Sequence, residues 1–160
     1  MKKLFSIPLM LLAMLMVETA CSGSSGIGTS ERDAATLVPD AASLNINIIV
    51  GEQTITATLE DNGAARDFLS RLPLEVTLED YNNGTEKIFY PDPELSLDDT
   101  PHGCTPVAGD ITIYEPWGNV AIFCRDWSES NSLIKIGHID GNGINLLQGT
   151  ESMNVRFERQ

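Results

Sequence analysis

The chain has 160 residues, with 10 Lys and Arg against 23 Asp and Glu, which gives a formal charge of -13 and an isoelectric point near 4.3. This charge argues against a nucleic-acid-binding protein, because binding to phosphates requires clustered cations. The composition, 42% hydrophobic and 21% charged, excludes a disordered or multi-span membrane protein and indicates one compact globular domain. A chain of this length needs neither a metal nor a dense disulfide network to fold.

The first 20 residues have the features of a secretory signal peptide. A basic start at residues 1–3 precedes an apolar stretch at residues 4–17, and Ala20 stands directly before Cys21. The pattern resembles a bacterial lipoprotein signal, in which the cysteine is lipidated and becomes the new N-terminus. It departs from such signals at Glu18, where they usually carry leucine, and ordinary secretion after cleavage near Ala20 is the alternative.

We therefore expect residues 1–20 to be removed and Cys21 to carry the lipid. Residues 21–43, rich in Ser, Gly, Ala, Thr and Asp, are predicted to form a flexible linker. Because the chain is acidic, attachment to an anionic membrane would depend on the acyl chains of Cys21. The expected location is the bacterial cell envelope, lipid-anchored and facing the periplasm, or outside the cell if Cys21 is not lipidated.

The folded domain is predicted at residues 44–160 and begins with a β-hairpin. Apolar and polar residues alternate at positions 44–50 and again at 54–59, on either side of the turn at Gly51 and Glu52. Alternation with a period of two is typical of strands with one buried face.

A short amphipathic helix is predicted next. Asp61 or Asn62 can cap its start, apolar residues recur at four-residue steps from Ala64 to Leu72, and Pro73 ends it. One apolar face of this helix is expected to lie on a sheet.

The rest of the chain is predicted to form short strands. Leu74, Val76 and Leu78 point one way while Glu75, Thr77, Glu79 and Tyr81 point the other, before an Asn-Gly turn. Residues 91–101 form an acidic loop without the ligand spacing of a calcium site. Four further strands are predicted around Ile111 and Ile113, Val120 and Ile122, Ile134, Ile136 and Ile139, and Met153, Val155 and Phe157. Many short strands with one helix favour a closed or nearly closed antiparallel barrel, which hides strand edges.

Cys104 and Cys124 are the two cysteines of the predicted domain. Export would place them in an oxidising compartment, so a disulfide between them is the leading interpretation. Two buried, inert thiols and a reactive Cys104 assisted by His102 are the alternatives. Metal binding by these cysteines with His102 and His138 lacks the short spacing of a zinc site, and no metal or cofactor is predicted.

Several short strings of the helix and strands occur in a characteristic order. They are Asn62-Gly63-Ala64-Ala65-Arg66-Asp67-Phe68, Leu72-Pro73-Leu74, Glu86-Lys87, Pro106-Val107-Ala108-Gly109-Asp110-Ile111, Tyr114-Glu115-Pro116-Trp117-Gly118-Asn119, Ile122-Phe123 and Leu133-Ile134-Lys135-Ile136-Gly137. In this order they resemble the cyclophilin-like domain family of small bacterial proteins, which is distinct from the true cyclophilins but shares their barrel. The resemblance implies a mainly β fold, a closed cyclophilin-like antiparallel β-barrel with one short helix, and it implies no agreed activity. Cys104 and Cys124 stand where such sequences are expected to have tyrosine, which also favours a cross-link.

The resemblance raises the question of isomerase activity. True cyclophilins isomerise X-Pro bonds with an arginine close to a Phe and a Gln over an apolar proline pocket. That arrangement is not found here, because only Arg125 has an aromatic setting, with Phe123 before it and Trp127 after it. A surface cation stacked on Trp127 is the alternative role for Arg125. We assign no catalytic residue and keep a peptidyl-prolyl isomerase of envelope proteins as the alternative function.

The leading hypothesis is a non-enzymatic module that binds a peptide or small ligand in a groove on the barrel. Aromatic area together with one fixed cation suits a concave binding site. The predicted lining is Phe89, Tyr90, His102, Trp117, Phe123, Arg125 and Trp127. Packing in the core is the alternative for Phe89 and Phe123, because buried aromatic residues are common core elements. A redox protein that works through its two cysteines ranks third.

Overall fold

The computed structural model describes residues 43–160. The predicted signal peptide, the lipidation site Cys21 and the predicted linker up to residue 42 lie outside the described residues. Within residues 43–160, no helix has the length and apolar character needed to cross a bilayer.

The described residues form eight strands, one α-helix and one 3₁₀-helix. In chain order these are β1 (Asn45–Val50), β2 (Gln53–Leu59), α1 (Gly63–Ser70), β3 (Leu74–Tyr81), β4 (Glu86–Phe89), β5 (Asp110–Tyr114), β6 (Asn119–Phe123), β7 (Leu133–Ile139), the 3₁₀-helix (Gly143–Leu147) and β8 (Met153–Arg159). The strands pair in the order β1-β2-β7-β5-β6-β4-β3-β8 and close into a barrel, with every pair antiparallel. The predicted closed antiparallel barrel with one short α-helix is confirmed.

The helix α1 forms where the sequence predicts it. The side chain of Asn62 accepts a hydrogen bond from the Ala65 N–H at 2.9 Å and donates one to the carbonyl of Lys135 in β7 at 3.0 Å. The first bond satisfies a free backbone donor of the first turn, and the second ties the start of the helix to the barrel.

The interior of the barrel is filled by branched and aromatic side chains from all eight strands and from α1. Phe68 of α1 is fully buried, and its ring meets that of Phe157 edge to face with centroids 5.4 Å apart. Phe89 is 4% exposed, with its ring centroid 5.8 Å from that of Phe157. Phe89 therefore packs in the core and does not line a groove.

One charged side chain also lies inside the barrel. Lys87 of β4 is completely buried, and its Nζ lies 3.4 Å from Oδ1 of Asp80 and donates to the Glu151 carbonyl at 2.8 Å. Asp80 also accepts the Gly84 N–H at 2.9 Å, in the turn between β3 and β4. A lysine is almost never fully buried unless it is paired, and this pair is a feature that the sequence did not predict.

The predicted disulfide is absent from the structure, where Cys104 and Cys124 are both free thiols. Cys124 packs in the barrel interior, with its Sγ 3.8 Å from the Leu147 carbonyl, whereas Cys104 packs on a separate cluster that includes Phe123 and Leu133. The two side chains thus belong to different packing clusters, and the prediction of a disulfide is wrong for this structure. Burial raises the pKa of both thiols, which favours the inert alternative because the thiolate is the nucleophile.

Candidate functional site

A cavity of about 160 Å³ opens on the face of the barrel wall opposite the main core. Alternation along β6 produces the two faces, because Val120 and Ile122 point into the main core while Ala121 and Phe123 belong to the separate outer cluster. We call this cavity the aromatic pocket. Its lining consists of Tyr81, Glu86, Ile88, Tyr114, Trp117, Asn119, Phe123, Trp127, Ser130 and Leu133.

The walls of the aromatic pocket are built around Trp117. This residue lies in the turn between β5 and β6, and its backbone N–H donates to the Tyr114 carbonyl at 3.1 Å. Its ring centroid is 5.5 Å from that of Tyr81 and 5.3 Å from that of Tyr114, with interplanar angles of 90° and 88°. Edge-to-face contacts of this kind stabilise aromatic pairs beyond the area they bury. Trp117 and Trp127 are nevertheless 47% and 46% exposed, so much of their surface is free to contact a ligand.

The polar side chains of the pocket include a carboxyl group and a buried amide, beside the hydroxyl groups of Tyr81, Tyr114 and Ser130. Asn119 is 2% exposed, and its Oδ1 has no hydrogen-bond partner within residues 43–160. An unsatisfied buried carbonyl costs roughly 1–3 kcal/mol. Because this oxygen is shielded from solvent, a ligand in the pocket does not reach it. Glu86 of β4 is half-buried, and burial raises the pKa of its carboxyl group. The pocket therefore presents the carboxyl group of Glu86 between aromatic walls.

Comparison with known proteins gives the chain its family. The sequence profile of the cyclophilin-like family matches residues 48–158, which is most of the barrel. The chain belongs to the cyclophilin-like family. The solution structure of a hypothetical protein from Archaeoglobus fulgidus is similar, with a TM-score of 0.55 and 17% identity over 74% of this chain and 96% of that chain. At this identity the likeness shows the fold alone. No curated protein matches the chain.

This cyclophilin-like barrel brings together part of the predicted groove. Trp117, Phe123 and Trp127 line the aromatic pocket, although Phe123 is only 1% exposed and contributes as its floor. Tyr81 and Tyr114 were not predicted as site residues. The outward phase of Tyr81 along β3 was visible in the sequence, but its proximity to Trp117 depends on the pairing of β3, β4, β6 and β5.

The other predicted residues lie outside the pocket lining. Arg125 donates from Nη2 to the carbonyls of Asn83 and Gly84, both at 3.0 Å, and so holds the turn between β3 and β4. His102 lies with its Nδ1 3.3 Å from a carboxylate oxygen of Glu115. Tyr90 is 58% exposed, beyond the end of β4. The expected convergence of Arg125, His102 and Trp127 in one pocket does not occur, because the contacts of Arg125 and His102 lie elsewhere.

A second polar cluster of this cyclophilin-like domain surrounds Asp110 at the start of β5. Its Oδ1 lies 2.8 Å from both Lys135 Nζ and His138 Nδ1, and its Oδ2 accepts the Val107 N–H at 3.0 Å. Gly109 permits this approach, since its φ is +98° and a Cβ there would lie 2.9 Å from His138 Cε1. Because these contacts join β5, β7 and the loop before β5, we assign the cluster to the fold.

Proposed function

We propose that the chain is a cell-envelope protein whose cyclophilin-like domain binds one side-chain-sized group of a peptide or small ligand, without catalysing a reaction. The observation that carries the proposal is the aromatic pocket, where the exposed Trp117 and Trp127 and the half-buried Glu86 line one cavity. Ligand sites are concave and mostly apolar, with a few convergent polar groups. A volume of about 160 Å³ is small beside the roughly 300–1,000 Å³ of drug-sized sites, so it suits one side chain or head group.

The chemistry of the pocket supports binding over peptidyl-prolyl isomerisation. An isomerase must stabilise a twisted peptide bond across a barrier of roughly 18–20 kcal/mol, with a donor placed against the twisted peptide. The one charged side chain that lines this pocket within residues 43–160 is that of Glu86, whose ionised carboxylate only accepts hydrogen bonds. The guanidinium of Arg125 is bound to the turn carbonyls instead.

The binding proposal is tested with the exported protein and the twenty N-acetyl amino-acid amides as probes. The chain has two tryptophans, so its two indole N–H resonances can be assigned from Trp→Phe variants. We expect at least one probe to shift both resonances, because both side chains line the same cavity.

Two variants separate the pocket from the rest of the surface. Trp117→Ala should reduce the probe-induced shift of the Trp127 indole resonance at least tenfold. Tyr90 is an exposed aromatic residue outside the lining, so Tyr90→Ala should leave that shift unchanged. If none of the twenty probes shifts either indole resonance, the binding of a peptide side chain in the pocket is refuted.

We also propose that Cys21 anchors the protein in the membrane. Mass spectrometry of the mature protein should find Cys21 as the first residue, with an added acyl mass. Cys21→Ser should move the protein from the membrane to the soluble fraction, since the acidic chain has little electrostatic attraction to anionic lipid. Cys104→Ser is the matched control and should remain in the membrane. An unmodified N-terminus at another residue would contradict the proposal.

A further inference from the structure

The carboxyl group of the aromatic pocket specifies a ligand group that donates hydrogen bonds. Glu86 lines the pocket, and its carboxylate oxygens only accept hydrogen bonds when ionised. Asn119 also borders the pocket, but its Oδ1 is shielded from solvent, so a ligand in the pocket does not reach it. A ligand group that only accepts hydrogen bonds would leave the Glu86 carboxylate unsatisfied.

The charges around the pocket specify a cation. Within the described part of the chain, its lining contains one carboxyl group, that of Glu86, and no Lys, Arg or His. Burial raises the pKa of this carboxyl group, because its ionised form is poorly solvated in the folded protein. A bound cation would stabilise that ionised form. The formal charge of the whole chain, -13, also attracts cations to its surface.

The walls of the pocket suit the same ligand. A cation within about 6 Å of the face of a Trp or Tyr ring gains roughly 0.5–2 kcal/mol, most when it is shielded from water. Two tryptophans and two tyrosines line the cavity, and the ring of Trp117 stands at nearly right angles to the rings of Tyr81 and Tyr114. Because the lining rings lie in different planes, they can contact a small group from more than one direction.

We infer that the aromatic pocket binds the alkylammonium group of a protonated amine, supplied by a peptide lysine or by a free alkylamine. The inference rests on the proposed binding function and names the chemistry of its ligand. The N–H groups would donate to the Glu86 carboxylate, while the alkyl chain would contact Trp117 and Trp127. A quaternary ammonium has no N–H to donate to that carboxylate.

The test compares n-butylammonium chloride with 1-butanol, which has the same alkyl chain and a hydrogen-bond donor but no charge. Both are titrated into the exported protein at constant ionic strength, and the indole N–H resonances of Trp117 and Trp127 report binding. We expect n-butylammonium to bind at least tenfold more tightly than 1-butanol. Tetramethylammonium, a cation without N–H groups, should bind more weakly than n-butylammonium.

Variants at two carboxylates identify the source of this selectivity. Glu86→Gln should weaken n-butylammonium binding at least tenfold and leave 1-butanol binding unchanged. Glu115 is a carboxylate beside His102 and outside the pocket lining, so Glu115→Gln should change the binding of neither compound.

If Nα-acetyl-lysine amide binds at least fivefold more tightly than n-butylammonium, a peptide lysine is the source of the amine. Equal affinities indicate a free alkylamine.

The outcomes distinguish the two proposals. If 1-butanol binds as tightly as n-butylammonium, or if Glu86→Gln has no effect, the alkylammonium inference is wrong while the binding function stands. If n-butylammonium does not shift the indole resonances but a neutral or anionic N-acetyl amino-acid amide does, only the inference fails. If no amine and no amino-acid amide shifts them, both proposals fail.

Discussion

Asp80→Ala is expected to lower the free energy of unfolding by about 3–5 kcal/mol, because it leaves a buried charge without its partner. The ammonium group of Lys87 is completely buried and lies 3.4 Å from the Asp80 carboxylate. After the substitution, its contact with the Glu151 carbonyl at 2.8 Å would remain, but a neutral carbonyl does not compensate the charge. The Gly84 N–H would also lose its acceptor in the turn that Arg125 holds.

The loss can be measured by urea unfolding followed by tryptophan fluorescence. Glu79→Ala removes an exposed carboxylate from the same strand and should change the unfolding free energy by no more than about 0.5 kcal/mol. Adding Lys87→Met to Asp80→Ala should recover most of the stability, because an apolar side chain of similar length needs no partner. If the double variant is less stable than Asp80→Ala, the explanation by an unpaired buried lysine is wrong.

Local patterns were sufficient to predict the strands and the helix. The alternation from Leu74 to Glu79 predicts β3, and the side chain of Asn62 caps α1 as predicted, because both signals depend on neighbouring residues only. The closed barrel also followed, since many short strands avoid exposed edges by closing on one another.

The candidate site was only partly predictable, because it depends on strand register. Glu86 lies opposite Tyr81 on β3 and opposite Phe123 on β6, so barrel pairing places residues from three strands side by side. No local pattern marks such a set. Trp117 and Trp127 were found because aromatic residues outside strand interiors stand out in the sequence, whereas Glu86 resembles any exposed glutamate.

The two incorrect predictions share one cause, which is that neither used the direction in which the strand points the side chain. The disulfide was inferred from the expected redox compartment, which carries no geometric information. Strand phase is informative here, since Cys124 continues the inward series of Val120 and Ile122. Arg125 was placed in the groove because of its aromatic neighbours in the sequence. However, β6 ends at Phe123, and the guanidinium of Arg125 reaches the turn between β3 and β4.

Asp110→Asn is expected to lower the free energy of unfolding by about 2–3 kcal/mol at pH 7, because the carboxylate accepts several hydrogen bonds in a buried position. Asp110 is 2% exposed, and its donors are Lys135, His138 and the Val107 N–H. An amide has one acceptor oxygen where the carboxylate has two, and it carries no charge to attract Lys135. The variant would therefore loosen the junction of β5 with β7.

The size of this effect should depend on pH. Burial by itself would raise the pKa of Asp110. Hydrogen bonds from Lys135, the Val107 N–H and His138 outweigh this effect, so the pKa lies below its usual value. A carboxyl group whose pKa is lower in the folded state stabilises the fold above its unfolded pKa, about 3.9, and this contribution is lost as the pH falls through the folded pKa. The stability difference between wild type and Asp110→Asn should then be full above about pH 5 and shrink steadily below about pH 4.

Urea unfolding of the two proteins between pH 7 and pH 2.5 would measure this difference directly. Glu75→Gln is the matched control, because it removes a carboxylate from another ion pair between strands. Glu75 lies 2.8 Å from Arg156, and its side chain is 72% exposed. Exposed pairs contribute about 0–1 kcal/mol, so this control should have a small effect throughout. A stability difference for Asp110→Asn that stays constant from pH 7 to pH 2.5 would mean that the ionised carboxylate does not stabilise the barrel. A loss that disappears in acid would instead show that charge, rather than the shape of the side chain, joins β5 to β7 at Asp110.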